Sequence, residues 1–244
     1  MSLRHRRSVT FLAVAVAATL ALSACAIPQG DPTQSAEPPT VTATPTPTVV
    51  AGPPALDDLV LTADGLGTLV IGQPPAADPA TAMVSFDDDI CVYEDYGIAV
   101  GDPLAGGWAP NAEYGDGSTP TAGIGGVAAF QVLIKDGVLA RLDVSHLPIA
   151  TDGGLRIGDA RADVLAAHPS ATLVISSPIS EVYRVMGTVG VLDIEVAIED
   201  ASFAGYWPPS DLNTVLWMRV QPIGTEPYAV AGGENAIFGC GYTP

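Results

Sequence analysis

Apolar and polar residues alternate with a period of two between residues 191 and 199. This period puts apolar side chains on one face of a β-strand and the remaining side chains on the other. It predicts an antiparallel strand with one face on the core and the other in water. The apolar set is Leu192, Ile194, Val196 and Ile198, and the second set is Asp193, Glu195, Ala197 and Glu199.

Other apolar and β-branched runs predict further strands around this one. They cover residues 90–93, 128–134, 138–144, 172–175, 182–186 and 215–220. Lys135-Asp136-Gly137 separates two of these runs and predicts a tight turn. The two flanking runs are therefore expected to form a hairpin.

Two helices are predicted between the strands. Residues 160–167 are strongly helix-forming, with Asp159 as the expected N-cap and Pro169 as the stop. Residues 80–84 are expected to form a shorter helix, because Asp78 can cap it and Pro79 suits its first position. The resulting fold class is α+β, in which a short helix and then an antiparallel sheet occur twice in one domain.

A weak internal repeat supports this division into two related halves. Leu69-Val70-Ile71-Gly72-Gln73 recurs 86 positions later as Leu155-Arg156-Ile157-Gly158-Asp159, and a Gly-rich turn precedes each copy. The halves are expected at about residues 59–145 and 150–222. A Leu-x-Ile-Gly motif before a short helix and a meander, in tandem, resembles the beta-lactamase inhibitory protein fold and the outer-membrane assembly lipoproteins of the SmpA/OmlA type. That resemblance implies a protein that binds other proteins and is not an enzyme.

The N-terminal residues combine basic and apolar segments. Arg4, Arg6 and Arg7 precede an apolar stretch over residues 11–22, which is too short to span a bilayer comfortably. The run that follows, Leu22-Ser23-Ala24-Cys25, resembles the lipobox of bacterial lipoproteins. The resemblance implies a signal peptide over residues 1–24, cleavage before Cys25 and lipid on its sulfur. It also implies a protein that is lipid-anchored on the extracytoplasmic face of the cell membrane.

Residues 25–54 are expected to form a tether that follows the lipid. Thr and Pro alternate there with almost no large apolar residue, so the segment cannot bury enough surface to offset its ordering entropy. Its Thr-Pro content also resembles O-glycosylated stalks. The folded domain is expected over residues 55–244, a length that suits one core or two small subdomains.

The charge of the chain limits its partners. Removing the three signal arginines leaves 6 of 9 basic residues against 27 acidic ones, which gives the mature chain a net charge of −21. An anionic polymer is repelled, so no nucleic acid partner is expected, and the lipid is expected to be the only membrane contact. The acidity favours a cationic partner or a divalent cation, or serves solubility alone.

The cysteines offer one disulfide in an oxidising compartment. Once lipid occupies Cys25, Cys91 and Cys240 remain, and they are expected to pair, the alternative being two thiols that never meet. The pair departs from the inhibitory-protein scheme, which has one disulfide inside each repeat.

Catalytic and cofactor patterns are absent from the sequence. The acidic cluster of Asp87, Asp88 and Asp89, with Glu94 and Asp95, offers oxygen ligands for Ca²⁺ without the EF-hand spacing, and a solvated turn is the simpler interpretation. The loop with Asn111, Glu113, Asp116 and Gly117 has the same ambiguity. His146 and His168 lack further ligands at zinc spacing, and no nucleophile motif is present. We therefore expect no metal, no cofactor and no catalytic residue.

Aromatic loop residues are the best candidates for a binding surface. Phe203, Tyr206 and Trp207 lie between two predicted strands, and Trp108 and Tyr114 lie in the corresponding part of the first half. Trp and Tyr supply much of the energy of protein interfaces, although the same rings can instead fold back as a lid on the core. The sequence thus favours a non-catalytic envelope lipoprotein that binds a protein or peptide, and the alternatives are an envelope hydrolase acting on cell-wall material and a structural spacer.

Overall fold

The computed structural model describes residues 52–92, 94–115, 128–144 and 148–231. All of them belong to a compact unit that begins at Thr48. Within the described residues there is no helix with the length and apolar character needed to cross a membrane. In the described ranges the helices are α1 (Arg161–Ala167) and three 3₁₀ turns, at Leu56–Asp58, Glu94–Tyr96 and Ala112–Tyr114. The strands are β1 (Val60–Thr62), β2 (Gly65–Leu66), β3 (Leu69–Val70), β4 (Val84–Asp87), β5 (Gly107–Pro110), β6 (Gln131–Lys135), β7 (Val138–Val144), β8 (Ala150–Thr151), β9 (Thr172–Ser176), β10 (Ser180–Met186), β11 (Gly190–Ala197) and β12 (Val215–Pro222).

The described strands form three sheets. The largest of them carries the residues considered below as a candidate functional site. Its six antiparallel strands have the order β6-β7-β12-β11-β10-β9. The second sheet has the order β3-β2-β1-β8 and includes a parallel pairing of β1 with β8, and the third is the antiparallel pair β4-β5. Strands thus dominate over helix, in a mixed α+β arrangement.

One face of the large sheet supplies the main core. Side chains at alternate positions of β11 and β12 pack there with α1 and with the β3-β2-β1-β8 sheet. Their burial removes apolar surface from water, which is the main favourable contribution to folding. Fully buried members are Leu61, Leu66, Leu142, Val164, Leu192, Ile194, Val196, Met218 and Val220.

Several strand predictions are confirmed and two local predictions are wrong. The β6-β7 hairpin turns at Asp136 and Gly137, whose φ values of 53° and 80° match the tight turn that the sequence predicts. Residues 90–92 form a turn rather than a strand. Residues 80–84 form no helix, because only a single turn closes on Asp78 before β4 begins at Val84.

The N-terminus of α1 also differs from the prediction. Asp159 is not the cap, because its carboxylate accepts the backbone N–H of Arg156 at 2.7 Å. Ala160 holds the N-cap position, and Asp163 of the first turn accepts the Ala160 N–H at 3.2 Å. Asp163 thus makes the half of a capping box in which a first-turn carboxylate accepts the N–H of the N-cap residue, and no side chain among the described residues accepts the first-turn amides as Asp159 was expected to do.

The two Leu-x-Ile-Gly motifs form the same turn. Gly72 has a φ of 78° and Gly158 a φ of 88°, which suits the third position of a type II turn. The Gly72 N–H donates to Leu139 O and the Leu139 N–H donates to Gln73 O, both at 2.9 Å. The turn at Gly72 is thereby hydrogen-bonded to the beginning of the long strand β7.

The second motif repeats this pairing on β12. The Gly158 N–H donates to Val215 O at 2.8 Å, and the Val215 N–H donates to Asp159 O at 2.9 Å. The reciprocal hydrogen bonds therefore join motif and strand in the same way at β7 and at β12, which lie side by side in the sheet.

Asp64 fastens the β1-β2 turn to the β10-β11 turn. Its Oδ1 accepts the backbone N–H groups of Thr188 and Val189 at 2.7 Å and of Gly190 at 2.9 Å. A Cβ on Gly190 would lie 2.3 Å from the carbonyl oxygen of Ala63, so only glycine permits this approach. Burial alone would raise the pKa of Asp64, but these N–H donors outweigh it and lower the pKa below its ordinary value.

We expect Asp64→Asn to lower the free energy of unfolding by about 1 kcal/mol at pH 7, because a neutral oxygen accepts these bonds more weakly. A depressed folded pKa stabilises the protein above the ordinary value of 3.8 and loses that effect as the pH falls through the folded pKa. The difference between variant and wild type should therefore shrink below pH 3.8. Urea unfolding at pH 7 and pH 3 measures it, with the exposed Asp88→Asn as the control.

Candidate functional site

The second face of the large sheet carries a row of alternating charges. In register, Asp143 of β7 lies beside Arg219 of β12, and Arg219 lies beside Asp193 of β11. Arg184 of β10 follows Asp193 in the same row. Opposite charges on neighbouring strands attract one another, so the row is electrostatically self-consistent.

Hydrogen bonds join the row in pairs. Arg219 Nε donates to Asp143 Oδ1 at 2.5 Å, and Arg184 donates to both oxygens of Asp193 at 2.7 and 2.8 Å. Gln221 Nε2 also donates to Asp193 Oδ2 at 2.9 Å. Asp193 therefore accepts three hydrogen bonds and is held in one orientation.

This face is covered, which corrects the prediction of a wet face for β11. Asp193 and Glu195 are each only 3 % exposed, and Arg219 is 5 % exposed. Charged groups leave water only when they are paired and hydrogen-bonded. Another segment of the chain must therefore cover this face of the sheet and shield the charge row from water.

Residues 223–231 form that layer, and we call them the strap. Arg184 Nη1 donates to Thr225 O at 2.9 Å. The ring of Tyr228 lies over Arg219, with 5.7 Å between the ring centroid and the guanidinium carbon. This distance is typical of a cation–π contact.

Glu195 holds the far end of the strap. Its two oxygens accept the backbone N–H of Val230 at 2.6 Å and of Ala231 at 2.9 Å. Burial raises the pKa of Glu195 above its ordinary value, while these two N–H donors act in the opposite direction. The carboxylate is thus a buried clamp for consecutive backbone amides.

An aromatic ladder, made of Phe203, Tyr206, Trp207 and Trp217, borders the charge row. Neighbouring ring centroids are 6.3, 5.0 and 6.3 Å apart, in tilted or edge-to-face geometry. Phe203 is 43 % and Tyr206 is 46 % exposed, whereas Trp207 is half-buried. Trp217 lies opposite Glu195 in the sheet, which joins the ladder to the charged face.

The loop that carries the ladder is ordered by Glu199. Its Oε1 accepts the Trp207 N–H at 2.7 Å and its Oε2 accepts the Gly205 N–H at 2.9 Å. These two donors lower the pKa of Glu199 below its ordinary value. The indole N–H of Trp207 donates to Ile179 O at 2.7 Å, which fixes the ring on the end of β10.

Trp207→Ala should lower the free energy of unfolding by about 2 kcal/mol, because the half-buried ring loses its packing on Trp217 and its bond to Ile179. Trp207→Phe should recover part of the packing and none of that hydrogen bond. Thermal and urea melts measure both changes. A melt identical to that of the wild type would show that Trp207 serves an interface and no part of the fold.

The two aromatic candidates of the first half lie elsewhere. Trp108 belongs to strand β5 rather than to a loop, and Phe86 packs edge-on against it with centroids 5.8 Å apart. Tyr114 is fully buried, packs on Phe130 and donates its hydroxyl to Pro54 O at 2.8 Å. Neither is brought to the ladder by a described contact, and Tyr114 is a core residue.

His168 ends α1 and is buried there. Its Nε2 lies 2.8 Å from Thr151 Oγ1, and its Nδ1 lies 3.9 Å from Asp152 Oδ1. Burial lowers the pKa of His168, and Asp152 acts in the opposite direction. Both ring nitrogens face neighbouring residues, so this histidine fastens the helix end to β8 and is not presented to a substrate.

The remaining chemical candidates do not assemble into a site. Asp87 accepts the backbone N–H of Asp89 at 2.9 Å in a local turn. Among the residues that the structure describes, no three His, Cys, Asp or Glu side chains form a group that could hold a metal ion. His146, Asp116 and Gly117 lie outside the described residues.

An ion-pair cluster lies on the core side of the sheet beneath α1. Arg161 donates to both oxygens of Glu181 at 2.8 and 2.6 Å, and the Tyr183 hydroxyl donates to Glu181 at 2.7 Å. Burial, and then the bond to Glu181, raises the pKa of Tyr183. A shallow cleft of about 470 Å³ opens beside it. The cluster ties the helix to β10.

The lipidation and disulfide predictions fall mainly outside the described part of the chain. Cys25 and Cys240 are among the residues that are not described, and Cys91 is buried, at 2 % exposure. The lipid on Cys25 and the pairing of Cys91 with Cys240 therefore stay predictions.

Sequence reasoning missed the charge row because alternation alone does not say what covers the polar face. One signal was present in the sequence. Arg184, Arg219 and Gln221 are polar residues that interrupt apolar strand segments, as Asp193 does in its own strand. Acids on one strand and arginines on its neighbours indicate cross-strand pairing rather than contact with water.

Comparison of the chain with protein-family models, with curated proteins and with solved structures finds no match.

Proposed function

We propose that this protein is a non-catalytic envelope lipoprotein, anchored by lipid on Cys25, whose folded domain binds a protein or peptide partner. The observation that carries the proposal is the aromatic ladder beside the charge row. Phe203 and Tyr206 keep more than two fifths of their surface exposed although the loop around them is held by Glu199. Ordered, exposed aromatic rings next to paired charges resemble the anchor residues of protein interfaces.

We further propose that the domain consists of two related halves, about residues 59–145 and 150–222. The proposal is supported by the matching turns at Gly72 and Gly158 and by their matching hydrogen bonds to β7 and β12. The halves differ in the segment after the motif, where only the second has a helix. In this arrangement β7 and β12 are equivalent strands that lie side by side in the sheet.

The anchor and the tether place the binding surface away from the membrane. The acidic mature chain is repelled by an anionic lipid surface. The lipid and the extended Thr-Pro segment therefore act as a tether that keeps the domain near the membrane without contact between the domain and the lipid headgroups. The partner is then met in the envelope. The alternative of an envelope hydrolase is not favoured by His168, which is buried at the end of α1 with its Nε2 2.8 Å from Thr151 Oγ1.

Tyr206→Ala should weaken partner binding by about 30-fold, since a central aromatic anchor contributes about 2 kcal/mol or more. The melting temperature should hardly change, because Tyr206 is 46 % exposed. Capture from native envelope with the full mature chain as bait, followed by titration of the captured protein, measures the affinity. The matched control is Phe86→Ala, which removes an aromatic ring that is 54 % exposed in another sheet.

Equal affinity of the Tyr206→Ala variant and the wild type would refute the ladder as the interface. Loss of binding by Phe86→Ala alone would move the interface to the β4-β5 pair and to Trp108.

A further inference from the structure

The strap covers the charged face without belonging to the sheet. Residues 226–231 make no backbone–backbone hydrogen bond with any other described residue. At its start the strap is held by the Ile223 N–H, which donates to Val189 O at 3.2 Å. Beyond that point it is attached by side chains of the sheet: Arg184 to Thr225, Arg219 to Tyr228, and Glu195 to the amides of Val230 and Ala231. Because these contacts include no ladder hydrogen bond, residues 226–231 can leave the face without breaking the pairing of the sheet strands.

Among the residues that the structure describes, one guanidinium nitrogen of the charged face lacks a hydrogen-bond partner. Arg219 Nη2 is buried and has no hydrogen-bond partner among the described residues, while its Nε is bonded to Asp143. An unpaired buried donor is costly. A ligand that placed an oxygen within hydrogen-bond distance of Arg219 Nη2 would satisfy this donor.

We propose that the strap is a displaceable internal ligand, and that the charged face is a binding site for an extended peptide segment of a partner protein. The segment would present an aromatic ring to Arg219 and two consecutive free backbone N–H groups to Glu195, as Tyr228, Val230 and Ala231 do. Trp217 lies opposite Glu195 and packs at a tilt against Trp207, so a bound segment runs from the charge row to the aromatic ladder. This inference rests on the proposed function and adds the chemistry of the partner and the event that precedes its binding.

Weakening the strap tests this without removing any part of the face. Val230→Pro in the full mature chain deletes one N–H that Glu195 accepts, and Val230→Ala is the matched control that keeps it. The probe is a fluorescein-labelled peptide with the strap sequence, Ile-Gly-Thr-Glu-Pro-Tyr-Ala-Val-Ala, and its binding is followed by anisotropy. We expect at least tenfold tighter binding to Val230→Pro than to the wild type or to Val230→Ala.

The Tyr-to-Ala version of the peptide should bind at least tenfold more weakly. If Val230→Pro fails to fold by circular dichroism, Tyr228→Ala replaces it, with the same expectation for the unchanged peptide. Equal binding of the peptide to the opened variant and to the wild type would overturn the inference.

Hydrogen exchange on the wild-type chain gives an independent result. The amides of Val230 and Ala231 should exchange at least tenfold faster than those of β11 and β12, because the strap opens without unfolding the sheet. Equal rates would overturn the inference. If the opened variant binds the peptide but no envelope protein is captured, the inference stands and the proposed function is refuted. If an envelope protein is captured and its affinity is the same for Val230→Pro and the wild type, the proposed function stands and the inference is refuted.

Discussion

Replacing Asp193 with alanine is expected to lower the free energy of unfolding by about 3–5 kcal/mol, the loss typical of breaking a buried ion pair. Asp193 is 3 % exposed and accepts hydrogen bonds from both Arg184 and Gln221. Its removal leaves the guanidinium of Arg184 and the amide of Gln221 inside the protein without their acceptor. Urea unfolding at pH 7 measures the change.

Two controls separate lost pairing from lost packing. Asp88→Ala removes an exposed carboxylate and should change the free energy of unfolding by no more than about 0.5 kcal/mol. The double variant Asp193→Leu with Arg184→Met replaces both charges and should recover most of the lost stability. A loss below about 1 kcal/mol for Asp193→Ala would mean that water reaches the charge row.

Cys25→Ala should release the protein from the membrane completely. In the proposed function the lipid is attached to the sulfur of Cys25, where the lipobox-like run ends, and the acidic domain has no attraction of its own for an anionic bilayer. Incorporation of labelled palmitate and the split between membrane and soluble fractions measure the effect. Cys91→Ala is the control and should keep both label and anchoring, whereas a Cys25→Ala variant that is still acylated and membrane-bound would contradict the assignment.

The local signals in the sequence that proved reliable were those with a direct steric cause. Asp136-Gly137 predicts the β6-β7 turn because both residues must adopt positive φ, and they do. The repeat of Gly72 and Gly158 was noted in the sequence as a motif, and the structure shows that each glycine lies in the same kind of turn. Such predictions depend on the backbone of a few residues and need no knowledge of the rest of the fold.

Predictions that depended on distant partners were less successful. The helix over 80–84 gives way to strand β4, because Val84 joins the core and pairs with Pro110 of β5, far along the chain. The short strands β1, β2 and β3 carry too few residues for a periodic signal. Tertiary packing overrides weak local preference in each case.

The candidate site shows the same division. The exposed aromatic loop with Phe203 and Tyr206 was predicted from residue type and position, and the structure brings these rings together. The covered face of β11 was not predicted, because Glu195 meets the amides of Val230 and Ala231 across more than 30 positions of the chain. Alternation in a single strand contains no information about a segment that lies over it.

Site-specific photocrosslinking tests the binding surface most directly. Tyr206 is replaced by a benzophenone amino acid in the full lipidated chain, native membranes are irradiated, and crosslinked products are identified by mass spectrometry, with the same substitution at Phe86 as the control. The account predicts a crosslink from position 206 to a distinct envelope protein and none to that protein from position 86. A crosslink to such a protein from position 86 but not from position 206, or from neither position, would contradict it.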